Sequence, residues 1–142
     1  AFADVADRLR NRALHGRELG WVLESPGPRL HSRVVHEFVL IALHHQPVPM
    51  GSRWLDSVPL RNAAEFLAIC DRHSRLRAIV WGHVHQASDR ERRGVRLLSS
   101  PSTCAQFKPA ADKFALDTRP PGYRWIDLHA DGSIDTTVVW VE

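Results

Sequence analysis

Two unbroken apolar runs, Phe38-Val-Leu-Ile-Ala-Leu43 and Ala78-Ile-Val-Trp81, lead directly into histidines: His44 and His45 after the first, His83 and His85 after the second. Short runs without alternation predict strands buried on both faces, as in parallel sheets. Between them lies a Pro- and Gly-rich loop over residues 47–56, followed by a helical pattern. Ser57 is placed to cap that helix, Pro59 stands at an early position, and Leu60, Ala63, Ala64, Leu67 and Cys70 follow at helical spacing. Strand, loop, helix, strand is a βαβ crossover, which makes the two strands parallel and brings both histidine groups to one edge of a sheet. In an open α/β sheet, ligands bind at that edge, outside the carboxyl ends of the strands.

Beyond Trp81 the pattern turns antiparallel. Residues 88–92 and 95–99 can pair across Arg93-Gly94, and residues 123–129 and 133–141 across Ala130-Asp131-Gly132. The final segment alternates, with Ile134, Thr136, Val138 and Trp140 on one face. Residues 101–122, with several prolines, read as a long ordered loop, and residues 5–14 and 18–24 carry short helix patterns. No repeat or linker divides the chain, so residues 1–142 are expected to form a single unit.

An apolar fraction of 44% with 25% charged residues is ordinary for a globular protein and argues against disorder. No apolar run approaches the roughly 20 residues that span a bilayer, and no basic-then-apolar leader opens the chain, so no membrane partner is expected. The cysteines, Cys70 and Cys104, suggest neither a disulfide framework nor a Cys-type zinc site, which fits a reducing, cytoplasmic setting. The net charge of +3 comes from scattered arginines, with Lys only at 108 and 113. Arg90, Arg92 and Arg93 beside Gly94 read as a solvated turn, and no nucleic-acid partner is expected. Trp21, Trp54, Trp81, Trp125 and Trp140 read as core or edge packing.

The segment Gly82-His83-Val84-His85-Gln86 carries the chemical signal. On extended backbone, residues i and i+2 project to the same side, and Gly82 lets the chain pass close to an ion. Such a pair serves one metal, or two neighbouring metals with one histidine each, and His44 supplies a third nitrogen from the adjacent strand. Neutral imidazoles suit zinc, iron, nickel or copper. The plain alternative is a polar strand terminus, against which the third histidine at the neighbouring strand end counts.

Several motifs together carry a family resemblance. His44-His-Gln-Pro-Val-Pro-Met-Gly51, Trp54-Leu-Asp56 and Leu60-Arg-Asn62 resemble the histidine loop of bacterial class III cyclic-AMP phosphodiesterases. Gly82-His-Val-His-Gln86 is similar to the Gly-His-x-His metal motif of the calcineurin-like metallophosphoesterase superfamily. Pro101-Ser-Thr-Cys104, Gln106-Phe-Lys-Pro109, Phe114-Ala-Leu-Asp-Thr118, Pro121-Gly122 and Leu128-His-Ala-Asp-Gly132 also look like this group. The resemblance runs from about Phe38 to the end. It implies an α/β fold, the C-terminal half of a four-layer αββα sandwich, and hydrolysis of 3′,5′-cyclic AMP to 5′-AMP with two divalent transition-metal ions, iron, manganese or zinc. Position by position, it implies that His44 and His83 bind one metal and His85 the other. His45 would lie beside the site as a supporting or substrate contact, and Ser102 and Thr103 would line a substrate pocket.

The superfamily's Gly-Asp-x-x-Asp and Gly-Asn-His motifs do not occur here, and no Asp-x-His precedes the first histidine group. With them go the bridging carboxylate and the assisting histidine, so no catalytic residue of the family is identified in the chain. Two divalent ions held close together repel strongly, and neutral imidazoles bring no charge to offset that. The expectation is therefore a C-terminal half with little or no activity by itself and at most one weakly bound ion. The opening Ala1, with Met50 the only methionine, also suggests a shortened start. The alternatives are a related metallophosphoesterase acting on another phosphoester, or a non-catalytic scaffold of the same fold.

Overall fold

The computed structural model describes residues 38–141, which fall within one compact unit, His36–Glu142. The helices expected at 5–14 and 18–24, and Trp21, lie outside the described residues. In chain order the elements are β1 (Val39–Leu43), α1 (Arg53–Asp56), α2 (Ala63–Cys70), β2 (Leu76–Trp81), β3 (Ser88–Arg92), β4 (Val95–Ser99), β5 (Gly122–Leu128) and β6 (Ile134–Trp140). This is a mixed α/β structure. No helix among the described residues is long and apolar enough to cross a membrane.

The larger sheet has the order β1-β2-β4-β3. As the crossover requires, β1 and β2 are parallel, with Leu43 opposite Trp81. The 88–99 hairpin forms as expected, and both of its turn residues, Arg93 (φ 51°) and Gly94 (φ 80°), have the positive φ that a two-residue turn of matching twist demands. The hairpin does not leave the sheet, however. β4 lies parallel to β2, with Ser99 opposite Trp81, so β2 is a central strand. Its neighbours in sequence, Ala78 and Ile79, point to opposite faces, and both are buried. The expectation of burial on both faces thus holds for β2 but fails for β1, an edge strand among the described residues, where Val39 and Ala42 are exposed.

The helix begins at Ala63, not near Ser57, and a single helical turn, α1, precedes it inside the expected loop. Two forces displace the start. Val58 precedes a proline, which disfavours helical backbone, and the Leu60 N–H donates to the Gln46 carbonyl at 3.0 Å instead of extending a helix. The packed interior combines Leu55 of α1, Phe66, Ile69 and Cys70 of α2, and Leu76, Ile79, Trp81, Leu97 and Leu98 of the sheet. Burial pushes the Cys70 thiol up to about 11, which keeps it protonated and inert.

β5 and β6 form a separate antiparallel ribbon, Gly122 opposite Trp140 through Leu128 opposite Ile134. Arg124 ties it to the sheet by donating to the carbonyls of Ser99 (3.0 Å) and Ser88 (2.9 Å), and it also donates to the Thr136 hydroxyl within the ribbon (3.0 Å). Trp125 faces outward at 64% exposure, so it is not the packing residue expected.

The arginines of the 93–94 turn are also more than a solvated face. Arg92 makes a two-pronged contact to Asp71 (3.0 and 2.6 Å), and Arg93 approaches the same carboxylate at 3.4 Å. The hydrogen bonds from Arg92 hold the Asp71 carboxyl below its ordinary 3.8. A carboxylate depressed in the folded state stabilises the fold fully above its unfolded pKa, and the contribution fades as pH falls through the folded value. Wild type and Asp71→Asn should therefore differ in urea midpoint at neutral pH and converge below about pH 4. A gap of constant size across that range would remove this pairing from the stability of the fold.

Candidate metal centre

The parallel register of β1 and β2 sets His44 and Gly82 side by side at the carboxyl edge of the sheet. Three imidazoles meet there. Ring centroids lie 5.0 Å apart for His44 and His83, 4.9 Å for His44 and His45, and 4.3 Å for His45 and His83. One ring nitrogen from each lies within 4.8 Å of the other two. His44 Nε2 and His83 Nδ1 are 3.2 Å apart. Two nitrogens sharing a tetrahedral ion at ~2.0–2.1 Å each would sit about 3.3 Å apart, so this pair already has the spacing of two ligands.

The backbone around His83 and His85 is not extended, contrary to the expectation for this segment. β2 ends at Trp81, and both histidines adopt positive φ, 61° for His83 and 47° for His85. Val84 donates to the Gly82 carbonyl at 2.6 Å, closing a three-residue turn over His83. Non-glycine residues in this region are strained and persist only where their surroundings hold them. Here the hold is Val84, fully buried between the two histidines.

The turn separates the roles of the two histidines. His83 joins His44 and His45, and its Nε2 is buried without a hydrogen-bond partner among the described residues. His85 stands outside that trio. Its Nδ1 is 2.9 Å from the Ala105 carbonyl, which only accepts, so Nδ1 carries the proton and Nε2 presents its lone pair. Its ring is stacked on Phe107 at 4.1 Å with an interplanar angle of 6°. A histidine whose second nitrogen donates to a backbone carbonyl has the tautomer and fixed plane of a metal ligand.

Protonation is opposed at the centre of the cluster. Burial and then the neighbouring His45, His44 and His85 lower the pKa of His83, and burial and then His44 lower that of His45. Neutral rings are the form that ligates. The donor set and the spacing of its nitrogens therefore fit a divalent ion. Among the described residues no Asp or Glu joins the cluster.

The surrounding loops are fastened by Gln46, Asp56 and Gln106. Gln46, fully buried, donates to the Leu55 carbonyl at 2.7 Å. Asp56 is the last residue of α1. Its two oxygens accept from the N–H groups of Met50 (2.7 Å) and Gly51 (2.9 Å) and close the loop after His45. Gln106, also fully buried, donates to the carbonyls of Ser102 and Pro120 and accepts from the Ser102 N–H. The hydroxyl of Ser102 is engaged by the Cys104 N–H at 3.0 Å, and Thr103 is exposed. Gln46 directly follows a histidine group in the sequence, as the buried Gln86 also does, whereas Gln106 does not.

Histidines gathered at the carboxyl edge of the parallel strands of a mixed α/β sheet are consistent with a fragment of a metallophosphoesterase fold. No family model matches the chain. It is 47% identical over 105 residues, 74% of its length, to the 3′,5′-cyclic adenosine monophosphate phosphodiesterase CpdA of Pseudomonas aeruginosa, of which it covers 39%. It is 50% identical over 99 residues to the enzyme of the same name from Vibrio vulnificus, covering 36% of it. It is also 41% identical over 99 residues to a 3′,5′-cyclic-nucleotide phosphodiesterase of Nostoc, covering 37%. These matches support the class III cyclic-AMP phosphodiesterase family for the matched stretch of the chain. The chain spans well under half the length of these relatives.

Proposed function

We propose that the chain supplies the histidine side of a two-metal phosphodiesterase centre, and that the full-length protein built on this stretch hydrolyses 3′,5′-cyclic AMP to 5′-AMP in the cytoplasm. The observation that carries the reading is the convergence of His44, His45 and His83 at the carboxyl edge of β1 and β2. His44 and His83 are the ligands of one ion, iron, manganese or zinc, and His45 lies against both rings as a further donor or substrate contact. His85 is the ligand of the second, offering Nε2 while the Ala105 carbonyl holds Nδ1. Thr103, exposed on the neighbouring loop, is left to meet substrate, whereas the hydroxyl of Ser102 shapes its own turn.

Divalent ions at such a site polarise a phosphoryl oxygen and make water a competent nucleophile at neutral pH. In the net reaction a water oxygen bonds to phosphorus, the P–O3′ bond breaks, and O3′ leaves as the hydroxyl of 5′-AMP. The chain's own contribution is to hold neutral imidazoles in fixed planes at a sheet edge. It brings no carboxylate to that edge among the described residues, so by itself it holds one ion weakly and turns over little or no substrate.

A chimera tests the reading. Residues 38–142 are joined behind the part of the Pseudomonas aeruginosa relative that precedes the matched stretch. The expected result is manganese-dependent conversion of cyclic AMP to 5′-AMP, abolished by EDTA and by His83→Ala, with the isolated chain at background on cyclic AMP and on bis(p-nitrophenyl) phosphate. A chimera that folds, hydrolyses bis(p-nitrophenyl) phosphate and leaves cyclic AMP untouched would transfer the assignment to another diester. Robust turnover by the isolated chain would refute the division of the site.

A further inference from the structure

Beside His85 stands an aromatic cluster that the metal chemistry does not use. Phe107, stacked on His85, meets Trp54 at 5.1 Å and Phe114 at 5.4 Å, and Trp54 meets Phe114 at 5.3 Å, all edge to face. Phe114 is nevertheless 61% exposed and Leu116 58% exposed. The exposure is not that of a loose loop. Phe107 and Leu116 form a β-bridge, the Lys108 N–H donates to the Ala115 carbonyl at 2.9 Å, and Arg53 reaches Asp112 at 3.5 Å across to α1. A ring held rigidly, apolar and open to water on one side is an unfilled contact surface. The same short loop carries Lys108 and Lys113, the only lysines of the chain.

We propose that Phe114, backed by Phe107 and Trp54, is the stacking surface for the base of a purine nucleotide whose phosphate lies at the histidine edge. The choice of a nucleotide rests on the phosphodiesterase reading; the platform does not. Any purine presents a π face that stacks on an exposed aromatic ring. Lys108 and Lys113 place positive charge on the approach of an anionic ligand without fixing its geometry. His85 joins the two regions, because one face of its ring lies on Phe107 while its free nitrogen belongs to the histidine edge.

Adenosine, which has no phosphate, separates the platform from the metal centre. Saturation-transfer NMR on the chain in EDTA should put more saturation on the purine protons than on the ribose protons. Phe114→Leu should weaken adenosine by about tenfold or more, the size of one base stack, while Phe114→Tyr and His83→Ala retain it. No saturation of the purine protons, or equal affinity in Phe114→Leu, overturns the proposal. Zinc uptake is measured in parallel: zinc bound without adenosine overturns the platform and keeps the metal reading, and adenosine bound without zinc supports the platform and sinks the metal reading.

Discussion

Titrated with zinc at neutral pH, the chain takes up one ion, and His83→Ala weakens that uptake by about 100-fold or more. Even partners that only orient a ligand cost ~10–100-fold in metal affinity when removed, and His83 is placed to be a ligand itself. Its Nδ1 lies 3.2 Å from His44 Nε2, so the substitution deletes one of the two nitrogens already at ligand spacing. His44→Ala should match it. His129→Ala should not, because that ring is exposed and paired with Asp135 on the β5–β6 ribbon, outside the cluster. Calorimetric titration of protein stripped with chelator decides the matter. Equal zinc affinity in wild type and His83→Ala would reduce the trio to an ordinary polar strand end.

The largest loss of stability is expected at the residue just before this site. Trp81 ends the central strand and is 1% exposed. Trp81→Ala should cost about 3–5 kcal/mol, since removing so large a buried ring leaves a cavity that the surroundings fill only in part. A domain of this size has only about 5–15 kcal/mol in total. The Trp81 carbonyl also accepts from the Ser100 N–H at 3.0 Å, so loosening the strand end loosens the entry to Gly82 and His83. Urea unfolding should show the loss, Trp81→Phe should recover most of it, and zinc uptake should fall with Trp81→Ala although no ligand has changed. A midpoint unchanged within the error of extrapolation would show that the interior does not depend on this ring.

The parts of this fold legible in the sequence are the ones written locally. Apolar runs marked β1 and β2, the crossover made them parallel, and Arg93-Gly94 and Ala130-Asp131-Gly132 marked the two hairpins. The parallel union of β4 with β2 left no local trace, because a hairpin looks the same whether its second strand is free or joins a sheet. The helix start was misplaced for a related reason: Ser57 and Pro59 have the chemistry of a cap, but the distant Gln46 carbonyl takes the Leu60 N–H. At the candidate metal centre, spacing predicted that His44 and His83 would lie side by side, and their rings do meet. It treated His83 and His85 as equivalent, since the i, i+2 rule assumes extended backbone and says nothing of a turn braced by Val84. His45 completes the trio, its ring 4.3 Å from that of His83.

The bond from His85 to the Ala105 carbonyl has an implication for how this edge responds to change elsewhere in the chain. Which nitrogen of that imidazole is available depends on a peptide group twenty positions further along, and Gln106, with its three backbone hydrogen bonds, keeps that peptide in place. Drift in an outlying segment with no ligand of its own would thus appear as an exchange between two isomers of one ring, visible as a shift in its nitrogen resonances before any strand had moved.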